Sequence, residues 1–474
     1  MKKEKKSQTK NTTVSTSEIK TAKPSKTVTP TKTVPATKTF IAKPKTEIRK
    51  KNIIIKDIKN FQFGLKNKAD NLELYDLTGH SLYGQFQNYI LSKSSTKTRD
   101  LILREQSYGC NNYGPLPVVL NKSEGIYVKD VDDRIYIDFL AAYSALNQGH
   151  NNTILISEMT KQASQIYMTS RAFYNEKLGE AAEYICKLFN YEKVLFSNGG
   201  VEAGESAVKI SRRWGYQVKG IPKDQAKIVF ANGNFWGRTT YACATSDDPS
   251  RYHDFGPFET NSHYLVEFNN AEAMEDLLKS DPTICSVFLE PIQGENGVFI
   301  PHKDYLKKVQ NLCKQYNVLL ICDEIQTGCG RAGRLLASEQ FEIRPDIVCL
   351  GKSLSGGIYP ISAVLTSRTI MDLIKPGDHG STFGGNPLAS AITLAAMKDL
   401  VSKNLVANSY DMGLILGSRF SELKNCKILK EVRGRGLMFG LEFHEDIGFS
   451  AYHFSLWLME RGILTKPTKC NILR

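Results

Sequence analysis

Three apolar runs in the middle of the chain each end in residues that can carry charge. Run 285–289 is followed by Glu290-Pro291-Ile292-Gln293-Gly294-Glu295, and run 318–322 by Asp323-Glu324-Ile325-Gln326-Thr327-Gly328. Run 346–350 is followed by Gly351-Lys352-Ser353. In an open α/β sheet, ligands bind beyond the carboxyl ends of the strands. If these runs are such strands, two carboxylates and an amine face one crevice. Singly, each is only the first polar residue of a loop; the weight lies in the set.

Three further segments add to it. Asn198-Gly199-Gly200-Val201-Glu202-Ala203-Gly204-Glu205 follows the run 193–196 and opens a helical stretch. A glycine-rich helix start offers backbone N–H groups to an anion. Gly380-Ser381-Thr382-Phe383-Gly384-Gly385-Asn386-Pro387 is a second such loop. Asn234-Phe235-Trp236-Gly237-Arg238 follows the run 227–230 and offers an aromatic face and a guanidinium. Pyridoxal phosphate chemistry needs this combination. An amine (Lys352) bonds to the aldehyde, a carboxylate (Asp323) keeps the ring nitrogen protonated, and a helix start holds the phosphate.

Other readings are weaker. Gly328-Cys329-Gly330-Arg331-Ala332-Gly333 matches a dinucleotide fingerprint, but it begins well past the strand end where that fingerprint must start. Neither a phosphate-loop GxxxxGK[ST] nor a zinc-protease HExxH occurs, and no Cys/His cluster has metal spacing. Trp236 and Tyr143 read nearly as well as packing residues. Arg238 resists that reading, because a buried arginine needs a partner.

The elements that must position these residues alternate. Helical stretches cover 155–168, 176–189 and 202–219, between short β-rich runs at 193–196, 227–230, 285–289, 318–322 and 346–350. This pattern predicts an α/β fold with a large, mostly parallel sheet covered by helices on both faces. Residues 125–139 read as a β-hairpin, and 427–443 as a strand-rich stretch followed by a helix near 449–461. They predict a smaller α+β domain built from both chain ends. The expected division is a disordered basic tail (1–50), the first part of the small domain (51–151), the large cofactor-binding domain (152–405) and the rest of the small domain (406–474).

Of 474 residues 41% are hydrophobic, enough for a large core. No apolar run reaches the roughly 18 residues of a membrane span, and the first residues lack a secretory signal. Residues 1–50 hold thirteen Lys and one Arg against three Glu, so eleven of the net +13 charges lie there. The basic character therefore belongs to a tail, and nucleic-acid binding is expected of the tail alone if at all. Ten scattered cysteines read as reduced, mostly buried thiols. A cytoplasmic location follows, with the mitochondrial matrix as the alternative, although a tail without Arg before Arg49 suits a transit peptide poorly.

From about Tyr108 to Arg474 the chain resembles the class III (fold type I) pyridoxal-phosphate aminotransferases, most of all the ornithine aminotransferases. The resemblance rests on Asn147-Gln148-Gly149-His150, Ser170-Arg171-Ala172-Phe173-Tyr174-Asn175, the segments at 200–205, 234–238, 290–295 and 323–328, and His379-Gly380-Ser381-Thr382, all in one order. It implies that Lys352 carries the cofactor and shuttles the proton, while Asp323 pairs with the ring nitrogen. Gln326 would contact the ring oxygen and Phe235 stack on the ring. Gly199, Gly200 and Val201 would line the phosphate site, and Glu290 the cofactor shell. Thr382 would reach the cofactor of a second subunit, which implies a homodimer with shared sites. Tyr113, Tyr143, Trp236 and Arg238 would hold substrate. Glu295 and Arg474 would form a gate, closed while ornithine presents its δ-amine and open to free Arg474 for the α-carboxylate of 2-oxoglutarate or glutamate. The implied reaction is ping-pong transfer of the δ-amino group of L-ornithine to 2-oxoglutarate, giving glutamate-5-semialdehyde, which cyclises toward proline. Alternatives are an acetylornithine or 4-aminobutyrate aminotransferase and a truncated, non-catalytic relative. Relatives continue past the position of Arg474, so a shortened small domain and a loosely placed Arg474 are expected, and Gly199 stands where relatives often carry Thr.

Overall fold

The runs that end in Glu290, Asp323 and Lys352 are adjacent strands of one sheet. The computed structural model describes residues 93–474 except Lys424. The expected tail and the first part of the expected small domain, up to residue 92, lie outside the described residues. In chain order the strands are β1 (Leu120–Glu124), β2 (Tyr127–Asp130), β3 (Ile135–Asp138), β4 (Lys193–Ser197), β5 (Lys227–Ala231), β6 (His263–Val266), β7 (Ile284–Leu289), β8 (Leu319–Asp323), β9 (Ile347–Leu350) and β10 (Ser362–Thr366). Then come β11 (Leu429–Arg435), β12 (Met438–Phe443), β13 (Ile463–Leu464), β14 (Pro467–Lys469) and β15 (Ile472–Leu473). The longer helices are α1 (Thr96–Tyr108), α2 (Thr153–Ala163), α3 (Glu176–Phe189), α4 (Gly200–Trp214), α5 (Ala271–Ser280), α6 (Tyr305–Gln315), α7 (Pro387–Ser402), α8 (Leu405–Ser421) and α9 (Ala451–Glu460).

The large sheet runs β4-β10-β9-β8-β7-β5-β6. β6, β5, β7, β8 and β9 pair in parallel, and β10 is antiparallel to both its neighbours. Every residue of β7, β8, β9 and β10 is buried. That is why these strands read as continuous apolar runs and not as alternating ones. Alternate side chains serve the two faces. Val287, Leu289, Leu320 and Cys322 pack with Met274 of α5 and Val309 of α6. Ile228, Phe288, Ile321 and Cys349 pack with Ala207 and Ile210 of α4. β6 and β10 were not anticipated. β6 is a partly exposed edge strand, and β10 has polar ends, Ser362 and Thr366, that mask its apolar centre. The expected helix at 202–219 begins two residues earlier and changes to a π-helical turn over Gly215–Lys219.

Two small sheets flank this one, in the orders β1-β2-β3-β13 and β11-β12-β15-β14. β2 and β3 form the expected hairpin. β13 pairs in parallel with β3, so both ends of the described chain meet in one sheet. Helix α9 joins the two: Leu456 and Met459 pack with Val128 and Tyr136, while Ala451 packs with Phe443 and Leu473. Among the described residues no helix is long and apolar enough to cross a membrane, and no group of His, Cys, Asp and Glu could hold a metal ion.

Candidate active site

Register brings the charged residues together. Leu289 lies opposite Cys322, and Asp323 opposite Cys349, so β7, β8 and β9 end nearly level. Glu290, Asp323 and Lys352 line one cavity of about 200 Å3, with Gly200, Val201, Phe235, Trp236 and Gln326. The start of α4 closes one side. A Cβ on Gly200 or on Gly351 would stand 3.2 Å from Ile325, so glycine at both positions lets the helix start and the Lys352 loop close on the end of β8. Lys352 itself has φ 44°, a left-handed conformation that costs a lysine free energy and is typical of functional sites.

The electrostatics follow from burial. Asp323 is 4% exposed, and its Oδ1 accepts the Ile325 amide at 2.9 Å. Loss of solvation pushes its carboxyl up to about 6, against the pull of that amide and of Lys352. Burial pulls the Lys352 amine down, opposed by the charges of Asp323 and Glu295. Among the described residues its Nζ has no hydrogen bond or ion pair, which leaves a nucleophile without a competitor. Glu324, beside Asp323, is structural: its carboxylate accepts Thr327 Oγ1 at 2.5 Å and the amides of Ala337 and Ser338 at 2.9 and 2.7 Å. Glu290 works on the backbone, accepting the Phe235 amide at 2.9 Å and the Gly294 amide at 3.1 Å. Its carboxyl is raised to about 8, first by burial and then by Asp323.

Several groups await a ligand. The Glu202 carboxylate takes the amides of Asn198 and Gly199, at 2.6 and 2.7 Å. Gly199 is thereby occupied, and the next two amides of the helix start, those of Gly200 and Val201, have no acceptor among the described residues. Gln326 is buried, with its Nε2 unpartnered. A buried donor without an acceptor is costly, so it marks a place where a ligand oxygen belongs. Two anion-binding amides, an unpaired amide donor, a buried carboxylate and a free buried amine fit pyridoxal phosphate.

The other expected residues separate into groups. Tyr143 does not line the cavity; its hydroxyl accepts Lys466 Nζ at 2.9 Å and its ring lies 5.7 Å from the Arg474 guanidinium. Tyr113 is exposed, with Lys466 Nζ 5.1 Å from its ring. Arg474 is paired to Glu295 at 2.5 Å, and its backbone bonds with Lys466 in both directions. Burial would raise the Glu295 carboxyl, but the charge and hydrogen bond of Arg474 hold it below the usual range. Arg474 is thus firmly seated, contrary to expectation. Trp236 is buried in packing, stacked on Phe230 and donating to Thr245 Oγ1 at 2.9 Å, and it also lines the cavity. Arg238 is exposed, which removes the argument from burial. The buried arginine here is Arg251, which sits 4.9 Å from the Phe235 ring, donates to the Asn234 carbonyl at 2.6 Å and pairs with Asp248. Thr382 is exposed and does not line this cavity. Arg251, Lys466 and Thr468 went unread because each joins the site only through the tertiary fold.

The raised Asp323 carboxyl gives a pH prediction. Above pH 6 it is ionised and can pair with a protonated ring nitrogen; below, it takes a proton and the pairing is lost. Cofactor affinity should fall by up to about tenfold per pH unit below 6. The cofactor phosphate titrates nearby, so Asp323→Asn serves as the reference. Titration of cofactor absorbance from pH 5 to 8 reads the difference, and identical pH profiles for the two proteins would contradict the assignment.

A family model for class-III aminotransferases matches residues 108–474. The mitochondrial ornithine aminotransferase of Drosophila melanogaster is 50% identical over 371 residues, 78% of this chain and 85% of that one. A crystallised ornithine aminotransferase from Toxoplasma gondii, with pyridoxal phosphate at partial occupancy in its active site, superposes with a TM-score of 0.78 at 43% identity, over 82% of this chain and 91% of that one. An acetylornithine aminotransferase from Elizabethkingia anophelis gives 0.72 at 41% identity, over 80% and 92%.

Proposed function

The chain belongs to the class-III, pyridoxal-phosphate-dependent aminotransferases, and from that premise we propose that it moves the δ-amino group of L-ornithine to 2-oxoglutarate. The observation that carries the substrate reading is the Glu295–Arg474 pair, whose guanidinium also lies 3.5 Å from Gln326 of the cavity lining. Arg474 bound to Glu295 offers nothing to a second carboxylate, which suits an amino acid presenting its distal amine. Arg474 released from Glu295 offers a guanidinium to a dicarboxylate. One site thus serves both substrates in turn, by a ping-pong order.

Pyridoxal phosphate supplies the sink for the electron pair left on the substrate carbon when its proton departs. The chain does the rest. Gly200 and Val201 would hold the phosphate with their amides, and Phe235 would cover the ring. Asp323 would keep a proton on the ring nitrogen, and Gln326 Nε2 would donate to the ring oxygen. Lys352 takes and returns the proton at the amine-bearing carbon. Tyr113, Tyr143 and Arg238 surround the rest of the substrate.

The expected domain limits are part of the same reading, supported by two small sheets whose strands come from residues 120–138 and 429–473. A homodimer with shared sites is supported by the exposed Thr382, which lies outside this subunit's own cavity. A cytoplasmic location, with the mitochondrial matrix as the alternative, is supported by the free thiols of all ten cysteines. The test is direct: offer ornithine, acetylornithine or 4-aminobutyrate with 2-oxoglutarate, and follow glutamate and the cyclised semialdehyde. Ornithine should exceed the others by at least about tenfold, the factor that one well-placed contact supplies; equal or reversed preference would overturn the substrate assignment.

A further inference from the structure

The gate needs a backbone that stays still while its side chains move. Glu295 lies in a tight loop between Gln293 and Phe299, which bond to each other through both backbone groups at 3.1 and 3.0 Å. Gly297 has φ 120° and Val298 φ 57°, a left-handed conformation unusual for a β-branched residue, yet Val298 is fully buried. Two strands of the same small sheet grip this loop. From β11, the buried Arg433 donates to the Gly297 carbonyl at 2.9 Å and is itself held by Glu442 at 2.5 Å. From β14, Thr468 Oγ1 donates to the Glu295 carbonyl and lies 3.4 Å from the Glu295 carboxylate. The loop backbone is therefore held from both strands, which leaves the Glu295 side chain as the part free to turn. Among the described residues Thr468 is the one side chain bonded to both the backbone carbonyl and the carboxylate of Glu295.

We infer that Thr468 is the latch of the gate: a positioning residue that favours the closed Glu295–Arg474 pair and so sets the choice between one-carboxylate and two-carboxylate substrates. This rests on the gate reading above. The hydroxyl's single proton is forked between the fixed carbonyl, at the shorter distance, and the carboxylate at 3.4 Å; losing it removes the carboxylate branch from the closed arrangement alone, which shifts the closed-to-open ratio about twofold. Arg474 is then free more often, and a dicarboxylate gains access that ornithine does not need.

The experiment compares kcat/KM for L-ornithine and for L-glutamate on the cofactor-loaded protein, with Thr468→Val, Thr468→Ser and Glu295→Gln. Thr468→Val should raise the glutamate-to-ornithine ratio about twofold through KM for glutamate, and Glu295→Gln should raise it further. Thr468→Ser, which keeps the hydroxyl, should return to the parent ratio. An unchanged ratio in Thr468→Val beside a raised one in Glu295→Gln overturns the latch and leaves the gate standing. Unchanged ratios in both overturn the latch and the gate together. Equal losses for both substrates in Thr468→Val and Thr468→Ser assign Thr468 a purely structural role, and so also overturn the latch.

Discussion

Replacing Lys352 by Ala should lower the rate of amine transfer from ornithine by at least about a thousandfold, while the fold survives. The size follows from two lost functions. An alanine cannot bond to the cofactor aldehyde, and it cannot carry a proton at the substrate carbon; positioned acid–base groups alone contribute about 10²–10⁴. The fold should tolerate the change because Lys352 makes no ion pair among the described residues, and burial already disfavours its charge. Removing it relieves a desolvation cost and breaks no hydrogen bond, while buried Asp323 loses the pull of a nearby cation. The left-handed backbone at φ 44° remains, and alanine bears that strain no worse than lysine. Single-turnover kinetics read the rate, and far-ultraviolet circular dichroism reads the fold. Activity within tenfold of the parent would remove Lys352 from the chemistry.

Asp323→Asn should act on both stability and function, in opposite directions. The buried carboxyl is raised from 3.8 to about 6, so at pH 7 the cofactor-free protein holds an ionised group that burial disfavours. The sign is that of a raised acid: folding is penalised progressively as pH rises from 3.8 to 6, and the full penalty persists above 6. At 1.36 kcal/mol per pH unit it is about 3 kcal/mol. The amide avoids the charge but keeps its own burial cost, so the cofactor-free variant should be more stable by about 1–3 kcal/mol at pH 7. The loaded protein behaves oppositely. There the carboxylate would face a cationic ring nitrogen, and removing one partner of a buried pair costs about 3–5 kcal/mol, or roughly two to four orders of magnitude in cofactor affinity. Thermal melts with and without cofactor measure both effects. A variant that loses stability when empty, or gains as much as the parent on loading, would contradict the pairing.

The parts of this site that could be read from sequence are those whose signal is local. β7, β8 and β9 are buried on both faces, so they stand out as unbroken apolar runs, and the residue after each is a natural site candidate. The glycine-rich start of α4 is legible for the same reason, since its function lies in its own backbone. β6 and β10 escaped because edge position and polar ends dilute the pattern. Arg238 and Arg251 show the deeper limit. Both are arginines near an aromatic segment, and only the tertiary fold decides that the first is exposed and the second buried against Phe235. Lys466 and Thr468 are further still. They stand more than a hundred residues from Tyr143 and Glu295 in the chain, and they reach them because β14 pairs with β15 beside Arg474.

Every proposed step depends on Lys352 bonding to the cofactor in the cavity beyond the ends of β7, β8 and β9. The direct measurement is reductive trapping with borohydride after loading with pyridoxal phosphate, followed by peptide mass mapping. The pyridoxyl adduct should sit on Lys352, and it should vanish when ornithine is added before the reductant. An adduct on another lysine, or one that ornithine leaves untouched, would contradict the account.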